Sequence, residues 1–450
     1  MRRIALLLLA ASSLSAARAA TRPRYGGTLH VSLSAAPLSL DPASQSDSIA
    51  GRNLNRLIFD SLVILDERGD TRPGLATSWQ AEPGNQRWHF YLRKDVTFQD
   101  GTAVNSDAVA ASLRAASSDW KVFPSGDNVV IESDSADANL PAELALSRYS
   151  IAKRAGSKLL GSGPYTVSQW DPGKKLVLAA RDDYWKGRPF VDMVEIELGR
   201  NLRDQMIALE VGKADVIEVA PEQAHRVTME SRRVDLSSPG EFMALVFARD
   251  PQSSDEARLR QALSASIDRG ALSNVLFQGS AEPAGGLLPN WMTGYGFLFP
   301  TSTDATRVRQ LREDARQLSS WTLSYDTTDP LARVVAERVA LNARDMGLAL
   351  QPTASAPADI RLVRVPLLSL DNRVALARLG ATLGLGQARN SGGSIEDLYA
   401  AESTLLNTGR VVPLLHIRAA FGIGPMVRNW SATRLGIWQL PEVWLGAEKP

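Results

Sequence analysis

Apolar and polar positions first alternate with a period of two. Leu29, Val31 and Leu33 are interleaved with His30 and Ser32, which predicts a strand directly after Tyr25-Gly26-Gly27-Thr28. The period then lengthens. Leu54, Leu57, Ile58 and Leu62 fall on one face of a helix expected from Ala50 to Val63. Trp88, Phe90 and Leu92 return to strand alternation, and Asn105 or Ser106 can cap a following helix through Val109 and Leu113. Further on, Leu176 to Leu178 and Val194-Ile196-Leu198 read as strands. Leu202, Met206 and Leu209 form a helix face that Gly212 can end, and Leu259, Ala262, Leu263 and Ile267 mark another helix before Gly270.

The clearest local unit runs from Trp321 to Val365. Leu323 and Tyr325 lie in a short strand, and Asp329-Pro330 supplies an N-cap and a first-turn proline for the next helix. Val335, Val339 and Met346 recur along that helix and Gly347 can close it. Leu348 to Leu350 and Ile360-Leu362-Val363 follow as strands, an order that predicts a parallel strand–helix–strand element. With no internal repeat or low-complexity linker in view, the pattern predicts a mixed α/β protein in two lobes.

Composition narrows the partners. The chain of 450 residues is long enough for two domains and a large core. Its net charge of +1 gives no reason to expect nucleic acid or an acidic membrane surface. Arg2 and Arg3 precede an apolar stretch from Ile4 to Leu14, and Ala17-Arg18-Ala19 offers the small residues a signal peptidase recognises. That stretch is too short to span a bilayer, so a cleavable signal peptide is expected over residues 1–19. There is no cysteine, which excludes disulfides, thiol catalysis, cysteine-ligated metal and lipid attachment at an N-terminal cysteine. The mature chain is therefore expected free in the periplasm of a double-membraned bacterium.

Several segments, in order, resemble the family 5 extracellular solute-binding proteins, which include dipeptide-, oligopeptide- and nickel-binding proteins. They are Gly26-Gly27-Thr28-Leu29 leading to Leu40-Asp41-Pro42, Phe59-Asp60-Ser61-Leu62-Val63, and Arg72-Pro73-Gly74-Leu75-Ala76-Thr77-Ser78-Trp79. Leu92 to Thr102 with Asp107-Ala108-Val109, then Gly161-Ser162-Gly163-Pro164-Tyr165, and Tyr184-Trp185 through Pro189 are similar to further signatures. Arg258 to Arg269 and Val412-Pro413-Leu414-Leu415-His416 complete the set. The match is good over 25–290 and 390–450 and poor between.

The resemblance implies a two-lobed periplasmic-binding-protein fold with a discontinuous first lobe and a hinge cleft. Lobe I would span 20–243, with an inserted subdomain at about 45–155, lobe II 244–411, and the return to lobe I 412–450. Such proteins close on a ligand and dock on a permease. Cleft contacts are then expected from the loop holding Ala35, Pro37 and Leu38, from Ser162-Gly163, and from second-lobe residues such as Arg364.

No constellation for catalysis stands out. The four histidines, His30, His89, His225 and His416, lack metal-ligand spacing, and His416 alone is a candidate to face the cleft. There is no Gly-x-Ser-x-Gly elbow, and Gly384-Leu385-Gly386 lacks the strand and third glycine of a dinucleotide loop. Neither an enzyme nor a metal or cofactor is expected. Of the ten tryptophans, Trp79, Trp88 and Trp185 sit inside scaffold motifs. Trp291 and Tyr295, in the Gly/Pro-rich stretch Gly285 to Pro300, and Trp430 near the C-terminal return are candidates to grip an organic solute.

The second lobe departs from its relatives. In the stretch Asp359 to Pro366 reaching Asp371-Asn372, Val365 or Pro366 stands where a cleft tryptophan is expected, and Asn372 replaces a proline. A helical stretch that usually follows is missing between Ile395 and Tyr399. Asp371 is the candidate to pair a peptide amine, and Arg364 offers a guanidinium to a carboxylate. The expected function is capture of a peptide or other small organic solute by a monomeric protein for delivery to ABC permease subunits. The alternative is a non-transport interaction or sensor protein with a degenerate cleft on the same scaffold.

Overall fold

A computed structural model describes residues 23–446 apart from 45–46, 157, 230–232, 316–319, 356 and 387–392. The expected signal segment lies outside the described residues.

The alternating strand Thr28–Ser32 forms as expected and is flanked in parallel by Met193–Glu197 and Val216–Val219. The antiparallel hairpin Tyr165–Asp171 and Lys175–Ala180 extends this sheet. Leu29, Val31 and Leu33 point into one core with Leu54, Leu57 and Ile58 of the helix Ile49–Ile58. Trp430, Trp438, Leu440 and Val443 from the far end of the chain pack into the same core, so both chain ends build the first lobe. An antiparallel sheet in the order Ala76–Ala81, Arg87–Leu92, Asn128–Ser133, Trp120–Ser125 has its own core against the helix Ser106–Ala116. Asn105 caps that helix by accepting from Ala108 N at 2.9 Å.

The second lobe is built on the strands Arg233–Phe247, Ile360–Pro366, Ser320–Ser324 and Ala349–Thr353. Residues Phe242 to Phe247 are apolar without a break because both faces of the sheet are covered. Met243, Leu245 and Phe247 pack in the core that holds Leu259 and Leu263 of Ser254–Ser266 and Val335 and Val339 of Ala332–Asp345. Phe242, Ala244 and Val246 pack in the core that holds Leu376 and Leu379 of Asn372–Thr382 and Leu398 and Leu405 of Ile395–Asn407. The predicted strand–helix–strand unit is present, with Trp321 beside Leu350 in a parallel pair.

Three expectations are corrected. The helix read from Ala50 to Val63 stops at Ile58, because Ile58 O accepts from Gly163 N at 3.0 Å instead of from the next turn. Val63–Leu65 is a strand paired with Thr71–Pro73. The helix expected at Asp329-Pro330 begins at Ala332, since Asp329 Oδ1 accepts from Leu331 N in a local turn. The stretch read as missing at 395–399 is the helix Ile395–Asn407, started by a capping box between Ser394 and Asp397.

Two long antiparallel strands, Arg233–Phe247 and Val411–Ile423, run through both lobes. Val412, Leu414, Leu415 and Ile417 belong to the second core and Phe421 and Ile423 to the first, so the return to lobe I comes after Ile417 rather than at 412. At the crossing the register shifts on both sides of Pro239, and Ala419 N donates to the Ser237 side chain at 2.9 Å in place of a backbone rung. Among the described residues no helix is long and apolar enough to cross a membrane.

Candidate functional site

Two cavities are lined by residues of both lobes, one meeting the start of the helix Ile49–Ile58 and the other its later turns. The first, of about 370 Å³, lies against the crossing strands. Its first-lobe wall is Ser34, Ala35, Ser48 to Ala50 and Glu218 to Glu222, and facing it are Glu241 on the joining strand and Asp329 to Leu331 and Arg364 of the second lobe. Its charge is acidic. Arg364 donates from Nε to Glu241 Oε2 at 2.8 Å, with Nη2 on the same oxygen, and Asp329 is 3.9 Å away. Burial opposes the Arg364 charge, but Glu241, Asp329 and Glu222 more than offset it and raise its pKa. Glu218 accepts from Ser34 N at 2.7 Å and from the Ser34 hydroxyl. Burial still pushes its carboxyl upward, as it does that of Glu222.

The second cavity, of about 390 Å³, is basic. Arg52, Arg56, Lys186 and Arg188 line it with Asp60 and Glu442, between walls that include Leu57, Phe190, Leu368, Leu370, Ile437 and Trp438. Asp60 is held by three neutral donors, Ser162 Oγ at 2.9 Å, Tyr184 OH at 3.1 Å and Trp185 Nε1 at 3.0 Å. Arg188 is neutralised by Asp182 at 2.6 Å and by Asp192. Burial lowers the pKa of Arg52 to about 10, and burial likewise lowers those of Arg56 and Lys186.

The structure brings Ala35 and Arg364 together at the acidic cavity. Arg364 faces Glu241, however, so its side-on fork is already occupied by a protein carboxylate. Asp371 and Trp291 meet in a smaller surface depression beside Leu370. Asp371 caps the helix Asn372–Thr382, and Trp291 donates to Pro239 O at 3.0 Å under Arg434.

The other expected contacts line neither of these two cavities. Pro37 and Leu38 sit over the hairpin turn at Gly173, with Leu38 largely exposed. Ser162 is wholly buried on Asp60, and Gly163 packs on the backbone of Ile58. Tyr295 is buried with its hydroxyl on Glu402, and Trp430 donates to Asp235 at 2.8 Å within the first core. The residues that sequence reasoning missed are Arg52, Arg56, Asp60, Lys186, Glu218 and Glu241.

His416 is also in the interior, 4% exposed, with Nε2 at 3.0 Å from Leu287 O and its ring against Phe242. Burial lowers its pKa to about 4, the bond to Leu287 opposing. The folded ring stays neutral while the unfolded ring takes up a proton near its ordinary value of 6.5. Stability is therefore full above 6.5, falls as the pH drops towards 4, and then levels, with a loss of about 3 kcal/mol from this group. Denaturant titrations at pH 7 and pH 4.5 test this, and His416→Gln is expected to flatten the difference by most of that amount.

The chain has recognisable relatives. A family model, Bacterial extracellular solute-binding proteins, family 5 Middle, matches residues 70–364. The probable D,D-dipeptide-binding periplasmic protein DdpA of Escherichia coli is 22% identical over 344 residues, covering 67% of this chain and 65% of DdpA. The glutathione-binding protein GsiB of Escherichia coli is 24% identical over 303 residues, covering 62% of this chain and 59% of GsiB. The matches thus span less than two thirds of these relatives' own length. The solved structure of the murein tripeptide binding protein MppA of Escherichia coli superposes with a TM-score of 0.77 at 17% identity, covering 95% of this chain and 100% of that one. That likeness establishes the two-lobed fold with its discontinuous first lobe.

Proposed function

Since the chain belongs to the bacterial extracellular solute-binding proteins of family 5, we propose that it captures a peptide or other small organic solute between its lobes for delivery to ABC permease subunits. The observation that carries this is the pair of cavities walled by residues of both lobes, one of them lying against the two strands on which the lobes are joined. A solute that touches both walls binds the approximated lobes better than the separated ones, and that difference is what a permease reads. Relatives bearing the names of dipeptide, glutathione and murein tripeptide binders support a peptide-like solute.

Family members are periplasmic or extracellular transport proteins, and no covalent step enters their work. For this chain we take export by a cleaved segment at 1–19, no lipid anchor, a monomer, and no role for nucleic acid. The lobe limits follow the division into 20–243 with its insert at about 45–155, then 244–411 and 412–450, with the shift after Ile417 noted above. Cavities of about 370 and 390 Å³ speak against the alternative of a degenerate cleft.

The test is a screen of purified mature protein against dipeptides, tripeptides and small organic acids and bases, followed by melting temperature and tryptophan fluorescence. Trp438 lies in a cavity wall, so its emission is expected to change on binding. A bound solute at a hundredfold excess over Kd stabilises by about 2.7 kcal/mol, a rise of roughly 3 °C for a chain of this size that unfolds as one unit. Flat melting curves across every class would sink the proposal.

A further inference from the structure

We propose that the basic cavity holds the carboxylate of the captured solute on Arg52, and that Arg52 thereby ties solute binding to the approach of the second lobe. This rests on the solute-capture reading and names the chemical class of the solute.

Arg52 is 4% exposed in the middle of the helix Ile49–Ile58 and lines the basic cavity. Its Nη1 donates across the lobe boundary to Leu367 O at 2.9 Å. Its Nε and Nη2 have no hydrogen-bond partner. These two atoms form the side-on fork of a guanidinium. Arg72 uses the same pair on Asp66, at 2.9 and 2.6 Å, and Arg364 uses it on Glu241. A buried cationic fork without an acceptor is expensive to keep, and the group that fits it is planar, anionic and bidentate.

The cavity beside Arg52 carries further positive charge, although Asp47 and Glu241 also act on the guanidinium. Arg56, one helical turn on, and Lys186, stacked at 4.5 Å from the Trp185 ring centre, add positive charge to the same cavity. Asp60 is held in place by Ser162, Tyr184 and Trp185. Leu57, Leu368 and Trp438 give the rest of the solute an apolar wall. With Arg52 touching Leu367, the free fork atoms are shut off from solvent. A carboxylate therefore reaches them only when the Leu367 contact is open, and the second lobe then approaches over the bound solute.

The experiment uses the full mature chain and a matched set of probes. Di- and tripeptides of alanine, leucine and phenylalanine, and medium-chain carboxylic acids, are each measured beside their carboxamides by calorimetry and thermal shift. The acids are expected to bind about 10- to 150-fold more tightly than the amides. Arg52→Met is expected to abolish that preference, and Arg52→Lys, which keeps charge but not the fork, to keep only part of it. Should Arg52→Met fail to fold, the acid–amide ratio of the unmodified protein and Arg52→Lys decide the matter. Equal binding of acids and amides, or an acid preference that survives Arg52→Met, overturns the assignment while leaving solute capture standing. Absence of binding by any probe or by the broader screen overturns both.

Discussion

Glu402→Ala is expected to destabilise the second lobe by about 3–5 kcal/mol. Glu402 has no exposed surface, and its carboxylate gathers three donors from a single stretch of chain. Leu287 N and Leu288 N reach Oε1, the latter at 3.0 Å, and Tyr295 OH reaches Oε2 at 2.7 Å. Burial raises its pKa, with those three bonds acting in the opposite direction. Alanine removes the acceptor and leaves all three donors buried, while opening a hole between the helix Ile395–Asn407 and the segment that carries Tyr295. Glutamine, which retains an acceptor for the two amides, is expected to lose only about 1 kcal/mol. Denaturant midpoints of the two variants check this, and an alanine variant within 1 kcal/mol of the parent would show that the carboxylate is not the anchor it looks to be.

Gly161→Ala is expected to prevent the first lobe from reaching its native packing. A Cβ there would stand 1.9 Å from Ile58 O and 2.7 Å from Ile58 C, and backbone cannot yield as a side-chain tip can. At Gly163 the nearest atom would be Ile58 C at 2.6 Å. Both glycines are needed for close approach of two chain segments, not for a left-handed conformation. Overpacking against fixed backbone puts the loss at about 3 kcal/mol or more at each site. Because Ile58 leads directly into Asp60, the milder variant is also expected to weaken solute binding by displacing the floor of the basic cavity. Soluble yield and melting temperature measure the first effect and calorimetry the second. A Gly161→Ala protein with parental melting would refute the packing account.

Much of the fold is legible in the sequence because its signals are local. The alternation of Leu29, Val31 and Leu33, the Asn105 cap, and the strand–helix–strand unit after Trp321 each depend on residues a few positions apart. The helix after Ser394 is hard to read from the sequence because its capping box has an aspartate at the third position, where glutamate or glutamine is the usual sign.

The site is less legible. Arg52, Asn53 and Asn55 occupy the polar side of an amphipathic helix, which reads as a solvated face. In the fold that face meets Leu367 O, Gly436 O and Ser147 O, all distant in the chain. Arg364 stands out in the sequence, but its partner Glu241 is invisible until the register of Met243 against Arg364 is known. His416 and Trp430 illustrate the opposite error, since an aromatic with a polar atom near a motif is as well suited to a satisfied interior position.

The paired strands that join the lobes have one further consequence. Around Pro239 the ladder shifts register and lacks a backbone donor, and Ser237 supplies the oxygen that receives Ala419 N. A rung made by a rotatable hydroxyl tolerates torsion better than one made by two fixed peptide planes. The joint therefore behaves as a torsion spring with one soft segment between two stiff ones. A swing of one lobe against the other would place its backbone strain in a few residues of these strands, while Val374 would have to leave the core of the inserted sheet.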